Sequence, residues 1–323
     1  MIRKLQFGFS LLETLAAVAI LLVVTAIVMT GMVQMMNSQG MVANRTEMHA
    51  GVRSATELLQ QEIGQAGKLS LGSPTANVTL ASAVTIPGTV SLSFNTSTSG
   101  STPSSCGNCT VYPGEVLTVD VGANQESVTV AGTSSSPTAT FVYAHAAGAP
   151  VAALGAFDTG IVPPTTAPYT NGSTGYVLKL YGDLNSDGTM LYVEYTCAPG
   201  TATAPGYLYR NEMSITAGSK PAVDNTMILL NNVLNNYDNN NNLLPCFNYQ
   251  VQALNAGYVV TDVSVTLTVQ TQEKDPTTGQ FQKETKALLN ISPRNVVEVF
   301  DTAKLVDSTR AQPMPTTVTT LLP

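Results

Sequence analysis

From Phe9 to Asn44 the chain carries one charged residue, Glu13, and from Leu15 to Val33 its positions are apolar or small apart from Thr25 and Thr30. A helix needs about 20 such residues to cross the hydrocarbon of a bilayer. Arg3 and Lys4 precede the run, which places that end in the cytoplasm and exports the bulk of the chain. A cleaved secretory signal would close its apolar segment with a small-residue cleavage site. None closes this run, so the pattern predicts a membrane-spanning helix.

Helical periodicity continues past the apolar run. Met48, Val52, Ala55, Leu59, Ile63 and Ala66 recur at steps of three and four, while Arg45, Glu47, Arg53, Glu57 and Glu62 occupy the other faces. This is an amphipathic helix of nearly heptad period. With no proline before Pro74, one helix from Phe9 to about Gln65 is expected, roughly 85 Å long at the α-helical rise. Its first half is apolar all round, and its second half has one face for a globular body.

Beyond Pro74 the period falls to two, in short runs separated by Gly, Pro, Asn and Asp, which predicts β-strands. The clearest is YVVTDVSVTLTVQTQ. Val259, Val263, Val265, Leu267 and Val269 are expected on one face, and Val260, Asp262, Ser264, Thr266, Thr268 and Gln270 on the other. EKDPTTG then turns the chain and FQKETKALLNI returns, with the apolar side of the hairpin against the long helix; ISPRNVVEVF closes the domain. Between about Ser73 and Thr174 lies a Ser/Thr/Gly-rich segment with expected strands VSLSF, EVLTVDV, ESVTVA and TATFVYA. The Asn-rich NNVLNNYDNNNNLLPC reads as an exposed loop tied down at Cys246.

Composition narrows the class. Charged residues are 11% of the 323 and the formal net charge is −7, with no Lys/Arg cluster, which argues against a nucleic-acid surface. The wealth of hydroxyl and amide side chains, with many β-branched residues, suits exported β-structure rather than a disordered chain. Four cysteines follow the membrane run, an even number that reads as two disulfides in an exported segment. Three pairings are open; Cys106–Cys109 with Cys197–Cys246 is expected, because the CGNC loop is too short to reach elsewhere cheaply. A redox CxxC normally opens a helix in a βαβ unit, and no such pattern surrounds this one.

Arg3–Lys4, then Gly8-Phe9-Ser10-Leu11-Leu12-Glu13, then the unbroken apolar run together resemble the class III leader of type IV prepilins and pseudopilins. The resemblance implies that a prepilin peptidase cuts between Gly8 and Phe9 and methylates the new N-terminus. It makes Glu13 the single intramembrane glutamate of that family. An acidic residue deep in a membrane helix costs on the order of 2.5–3.5 kcal/mol. In a packed filament the Phe9 amine of a neighbouring subunit offsets that cost, and a misregistered subunit leaves both charges unpaired. Major pilins often carry Gly or Pro within this helix; Phe9 to Thr30 has neither.

The order RTEMHAGVRSATELLQQEIGQAG, a GDLNSDG hairpin and a late hairpin ending near SPRN is similar to the PilW family of minor pilins and to minor pseudopilin J of type II secretion. The fold class expected is therefore α+β and pilin-like: a long N-terminal helix, membrane-spanning in its first half, packed on an antiparallel sheet with a β-rich insertion. The segments are 1–8 leader, 9–36 transmembrane or filament-core helix, 37–72 amphipathic half, 73–174 insertion and 175–323 pilin-like β domain. The implied role is structural: a minor pilin in pilus assembly or initiation. The partners implied are other major and minor pilins, prepilin peptidase and an inner-membrane assembly platform. The implied location is the inner membrane, single-pass, then the filament at the cell surface. A minor pseudopilin, or an adhesive subunit displaying the insertion, are the alternatives.

Candidate chemistry is sparse. In YGDLNSDGTMLYVEY, Asp183, Asn185, Asp187, Gly188 and Glu194 fall at positions 1, 3, 5, 6 and 12 of a calcium-loop pattern, where oxygens on a tight turn converge on one ion. The flanks read as strands, and an Asn/Asp/Gly hairpin turn needs no metal; both readings stand. No cofactor is required on either. His49 and His145, the two histidines, have no evident nucleophile beside them and read as surface or packing residues, so no enzymatic role is expected.

Overall fold

The computed structural model describes residues 10–72, 77–85, 87–98, 102–107, 109–164, 170–254, 257–305 and 310–323. Helix α1 (Leu11–Gln65) runs unbroken for 55 residues. Ser10 caps it with extended backbone, its hydroxyl accepting the Glu13 N–H at 3.2 Å. This is the serine half of a Ser-x-x-Glu capping box, an acceptor that supplies a partner for one of the orphan amides of the first turn. Every residue from Ser10 to Gly40 is exposed. An apolar helix bare on all sides must be covered by lipid or by neighbouring helices. Within that half the hydroxyls of Thr14, Thr25 and Thr30 donate back to the carbonyls of Leu11, Leu21 and Ala26, so they bring no unsatisfied polar group into an apolar medium.

After α1 the chain builds an inserted module. Its strands are β1 (Asn77–Leu80), β2 (Gly88–Ser91), β3 (Phe94–Ser97), β4 (Ser104–Ser105), β5 (Val116–Val119), β6 (Glu126–Thr133), β7 (Ser136–Phe141) and β8 (Val151–Ala153). Among the described residues these form a three-stranded sheet, β1-β3-β4, and a five-stranded one, β2-β7-β6-β5-β8. The module has its own core, including Leu80, Phe94, Leu117, Val128, Val130 and Phe141. The stretch VSLSF is not one strand. Its first half pairs with β7 and its end with β1, because the chain switches sheets there to bury both Leu92 and Phe94 in the same core.

Strand β9 (Ala156–Phe157) leads to the main sheet: β10 (Val177–Gly182), β11 (Leu191–Ala198), β12 (Gly206–Ser214) and β13 (Ile228–Leu234). A small hairpin, β14 (Asn236–Tyr237) with β15 (Leu243–Leu244), precedes β16 (Phe247–Leu254), β17 (Gly257–Gln270) and β18 (Lys283–Ile291). The order is β10-β11-β12-β13-β17-β16 with β18 on the other side of β17, each pair antiparallel. One face carries α1: Val52, Ala55, Leu59, Ile63 and Ala66 pack on Leu178, Leu180, Val193, Val263, Val265 and Leu267. Leu59 and Ile63 are fully buried, each worth roughly 1.5–3 kcal/mol.

The alternation expected along β17 is inverted at one end. Opposite Gln250 and Val251 the register shifts so that Asp262 and Val260 are paired and Thr261 is extra. A bulge of one residue exchanges the faces of a strand. Val260 therefore joins Val263 in the core under α1, and Val259 turns to Leu254, Val296 and Phe300. The last two belong to helix α2 (Arg294–Leu305), formed by the stretch expected only to close the domain. The Asn-rich segment is likewise not a plain loop. Val233 and Leu234 are buried in β13 and NNYDNNNNLL makes the β14–β15 hairpin, with Asn241 at φ 63° in its turn.

The chain then returns to the insertion. Strand β19 (Ala311–Gln312) pairs in parallel with β9, and helix α3 (Thr316–Leu321) buries Val318 and Leu321 with Tyr112, Phe157, Tyr181 and Tyr192 on the sheet face away from α1. The Gln312 side chain, fully buried, bonds the N–H and C=O of Val116 and the C=O of Leu154. One glutamine thus joins the insertion to the body as a strand neighbour would.

Candidate functional site

Gly8 and Phe9, the residues of the expected cleavage, lie outside the described residues. Glu13 sits in the first turn of α1 and is exposed. A carboxylate there is favoured by the positive end of the helix dipole, so the position is locally comfortable for the folded chain even before any partner covers it.

At the other end of the helix the structure corrects the sequence reading. Glu62, expected on a polar face, is 1% exposed. It accepts the Tyr195 hydroxyl at 2.5 Å and the Arg210 Nε at 3.1 Å, with a further bond from Arg210 Nη2. The guanidinium also pairs with Glu212. Burial alone would lower the Arg210 pKa, but its bonds to Glu62 outweigh it and hold the charge more firmly. Burial and then Glu62 push the Tyr195 phenol up, so it stays a donor. Nothing in the helix pattern marks Glu62 as buried; the signal lies 148 residues away in Arg210.

Just past α1, Gly67 (φ +78°) crosses Gly160 so closely that a Cβ on Gly160 would lie 2.2 Å from the Gly67 Cα. The Gly67 amide donates to Tyr181 and its carbonyl accepts from Phe157. Only two glycines permit that approach, and it brings Lys68 and Ser70 over the β10–β11 hairpin. There Asp183, fully buried, takes the Ser70 hydroxyl at 2.5 Å and Lys68 Nζ at 3.2 Å on one oxygen, and the Asp187 N–H at 3.0 Å on the other. Asp187 in turn accepts the Thr189 N–H at 2.7 Å, and Asn185 is exposed.

Glu194 stands three rungs up the ladder, in register with Lys179. It binds Lys220 at 2.9 Å, the Tyr192 hydroxyl at 3.1 Å and Lys179 at 3.7 Å, on the sheet face away from α1. Burial lowers the Lys179 pKa, and Glu194 only partly restores it. Asp183 and Glu194, two of the four oxygen-bearing side chains of the calcium-loop pattern, are thus each engaged by protein donors. Among the described residues no group of three or more His, Cys, Asp and Glu is gathered as a metal would need. An Asx-type hairpin turn accounts for the contacts of Asp183 and Asp187.

Both disulfides pair as expected. Cys197 of β11 is joined to Cys246 just before β16, and Cys106 to Cys109 beyond β4. The first sits in the core under α1 and the second against the core of the insertion. Of the histidines, His49 on α1 pairs with Glu284 of β18, and His145 lies inside the insertion.

The family model of the prokaryotic N-terminal methylation motif matches residues 3–29. No curated protein matches the chain, and no solved structure does. The match covers the basic residues, Gly8-Phe9, Glu13 and most of the apolar run, and leaves the β body unassigned. A prepilin-type methylation motif, on a long apolar helix that continues into an antiparallel β body, supports a type IV pilin-like or pseudopilin-like protein.

Proposed function

We propose that the chain is a minor subunit of a type IV pilus, held in the inner membrane by the first half of α1 and passed from there into the filament. The observation that carries the reading is the methylation motif at residues 3–29 on a helix bare from Ser10 to Gly40. Such a surface is stable in lipid before assembly and among other helices after it. The body supports a subunit present in few copies, because the insertion adds a second module, with its own core, beside the sheet that seats α1. A filament built of this chain alone would have to accommodate that module at every step.

Processing tests the reading first. The mature protein extracted from membranes is expected to begin at N-methylated Phe9, and Gly8→Val is expected to retain residues 1–8, since a branched side chain then adjoins the scissile bond. Mass spectrometry showing an intact Met1, or a cut elsewhere, removes the proposal. Assembly tests it second. Glu13→Ala, expressed in cells lacking the natural copy, is expected to reach the normal membrane level, because losing a charge only makes the run more apolar. It is expected to enter sheared filaments poorly. Full incorporation would show that Glu13 does not set register.

A further inference from the structure

Between Lys68 and Lys179 the sequence has no lysine or arginine, so a protonated His145 is the one side-chain cation the inserted module can have. It is placed accordingly. His145 is 3% exposed, with Nδ1 3.0 Å from Asp120 and Nε2 2.7 Å from Glu126. Its backbone pairs with Val84 in both directions, and its ring meets the edge of Phe141. Asp120 follows β5, Glu126 opens β6, and His145 lies between β7 and β8, so the ring ties two connections that share no strand.

The same carboxylates hold the backbone around them. Glu126 accepts the N–H groups of Val142 at 2.8 Å and Tyr143 at 2.9 Å, and Asp120 accepts that of Val121 at 2.8 Å. Asp120 has φ 67°, a conformation that needs such local bonds to persist. The side chains of Val121, Val142 and Tyr143 point out, at 68%, 65% and 46% exposure. Three residues with exposed apolar side chains thus have their backbone amides held by two acids that share one imidazole.

We propose that His145 is a proton-operated lock on this end of the inserted module, holding Val121, Val142 and Tyr143 as one fixed apolar surface while the ring is charged and releasing it when the ring is neutral. An imidazolium donates from both nitrogens, one to each carboxylate. A neutral ring has lost one proton to solvent and donates from one nitrogen, so the other lone pair faces a carboxylate. The charged and titratable groups facing the ring are Asp120 and Glu126; the Tyr143 phenol belongs to the surface being held.

Burial lowers the His145 pKa, but the bonds to Asp120 and Glu126 outweigh it and the net shift is upward. The lock's contribution is therefore complete below the ordinary imidazole value of about 6.5 and is lost as pH rises through the raised folded value. Asp120 is lowered chiefly by its bond from His145, and Glu126 is lowered overall although burial opposes it, so the contribution also fades in acid as those carboxylates protonate. Glu115, buried beside Tyr112 elsewhere in the module, has a carboxyl pushed up to about 8 by burial. It too loses stabilisation as pH rises, and must be separated from the lock.

The test uses the full chain in detergent micelles. With two histidines in the sequence, His49→Gln leaves one imidazole resonance, and its NMR titration is expected to fall above the value of about 6.5 for a free side chain. Hydrogen exchange across pH 5–9, corrected for intrinsic rates, is expected to show protection at Val121, Val142 and Tyr143 dropping about tenfold through the same titration. Glu115→Gln is expected to keep that profile, and His145→Gln to flatten it at low protection. Should His145→Gln fail to fold, Asp120→Asn is expected to lower the imidazole pKa. An imidazole titrating at or below the free value, or protection that ignores pH in the natural chain, overturns the proposal.

Discussion

Arg210→Met is expected to lower the unfolding free energy of the β body by roughly 3–5 kcal/mol, the usual cost of leaving one member of a buried ion pair behind. The cost arises at Glu62, which is almost wholly buried on α1 and would keep only the Tyr195 hydroxyl. The opposite change, Glu62→Met, is expected to be milder, because Arg210 retains Glu212 on the more exposed side. The asymmetry is the informative part. Tyr195→Phe removes one hydrogen bond and is expected to cost about 1–2 kcal/mol. The double variant Glu62→Met with Arg210→Met is expected to recover much of the loss, since apolar groups of similar size often replace a buried pair without penalty. Denaturant unfolding in micelles, with near-ultraviolet dichroism of the tyrosines as the signal, measures all four. An Arg210→Met chain as stable as its parent would show that the pair is solvated and does not seat the helix.

Opening the Cys197–Cys246 bridge is expected to be comparably severe. The bridge spans a sequence separation of 49 and the other bridge a separation of 3. In the loop-entropy account these correspond to roughly 4 and roughly 2 kcal/mol. Cys197→Ser with Cys246→Ser is thus expected to lower the midpoint of thermal unfolding by roughly 10 °C for a body of this size. Cys106→Ser with Cys109→Ser is expected to have about half that effect, felt mainly in the insertion. Position reinforces the ranking, because Cys197 and Cys246 lie in the core under α1. Equal effects of the two double variants would mean that chain entropy does not govern either bridge.

Much of this architecture is written in local pattern. The long helix was legible to its last turn, because proline-free apolar periodicity and a Ser-x-x-Glu start act within a few residues of each other. So were the stripe from Met48 to Ala66, the hairpin of β17 and β18, three of the four strands expected in the insertion, and both disulfides. The methylation motif is local as well: the match at residues 3–29 falls on residues that can be read without any fold. Helix α2 left a weaker trace. Val296, Val299 and Phe300 are spaced for one helical face, but a short run after a proline invites a strand reading.

The features missed all depend on a partner far away in the chain. Glu62 looks like a surface acid until Arg210 is folded over it. Asp183 and Glu194 share a loop pattern, yet Lys68 and Ser70 take one and Lys179 and Lys220 the other. His145 has no neighbour in sequence that explains it, and Asp120 and Glu126 reach it only because β5, β6, β7 and β8 close into one sheet. No sequence pattern singles out residues 311–322, whereas Gln312 and α3 bind the insertion to the body. Periodicity records which way a side chain faces relative to its own element. Which charge meets which, and where a bulge such as that at Thr261 reverses the face, is settled only when strands distant in sequence select their register to bury the most apolar surface with every buried charge paired.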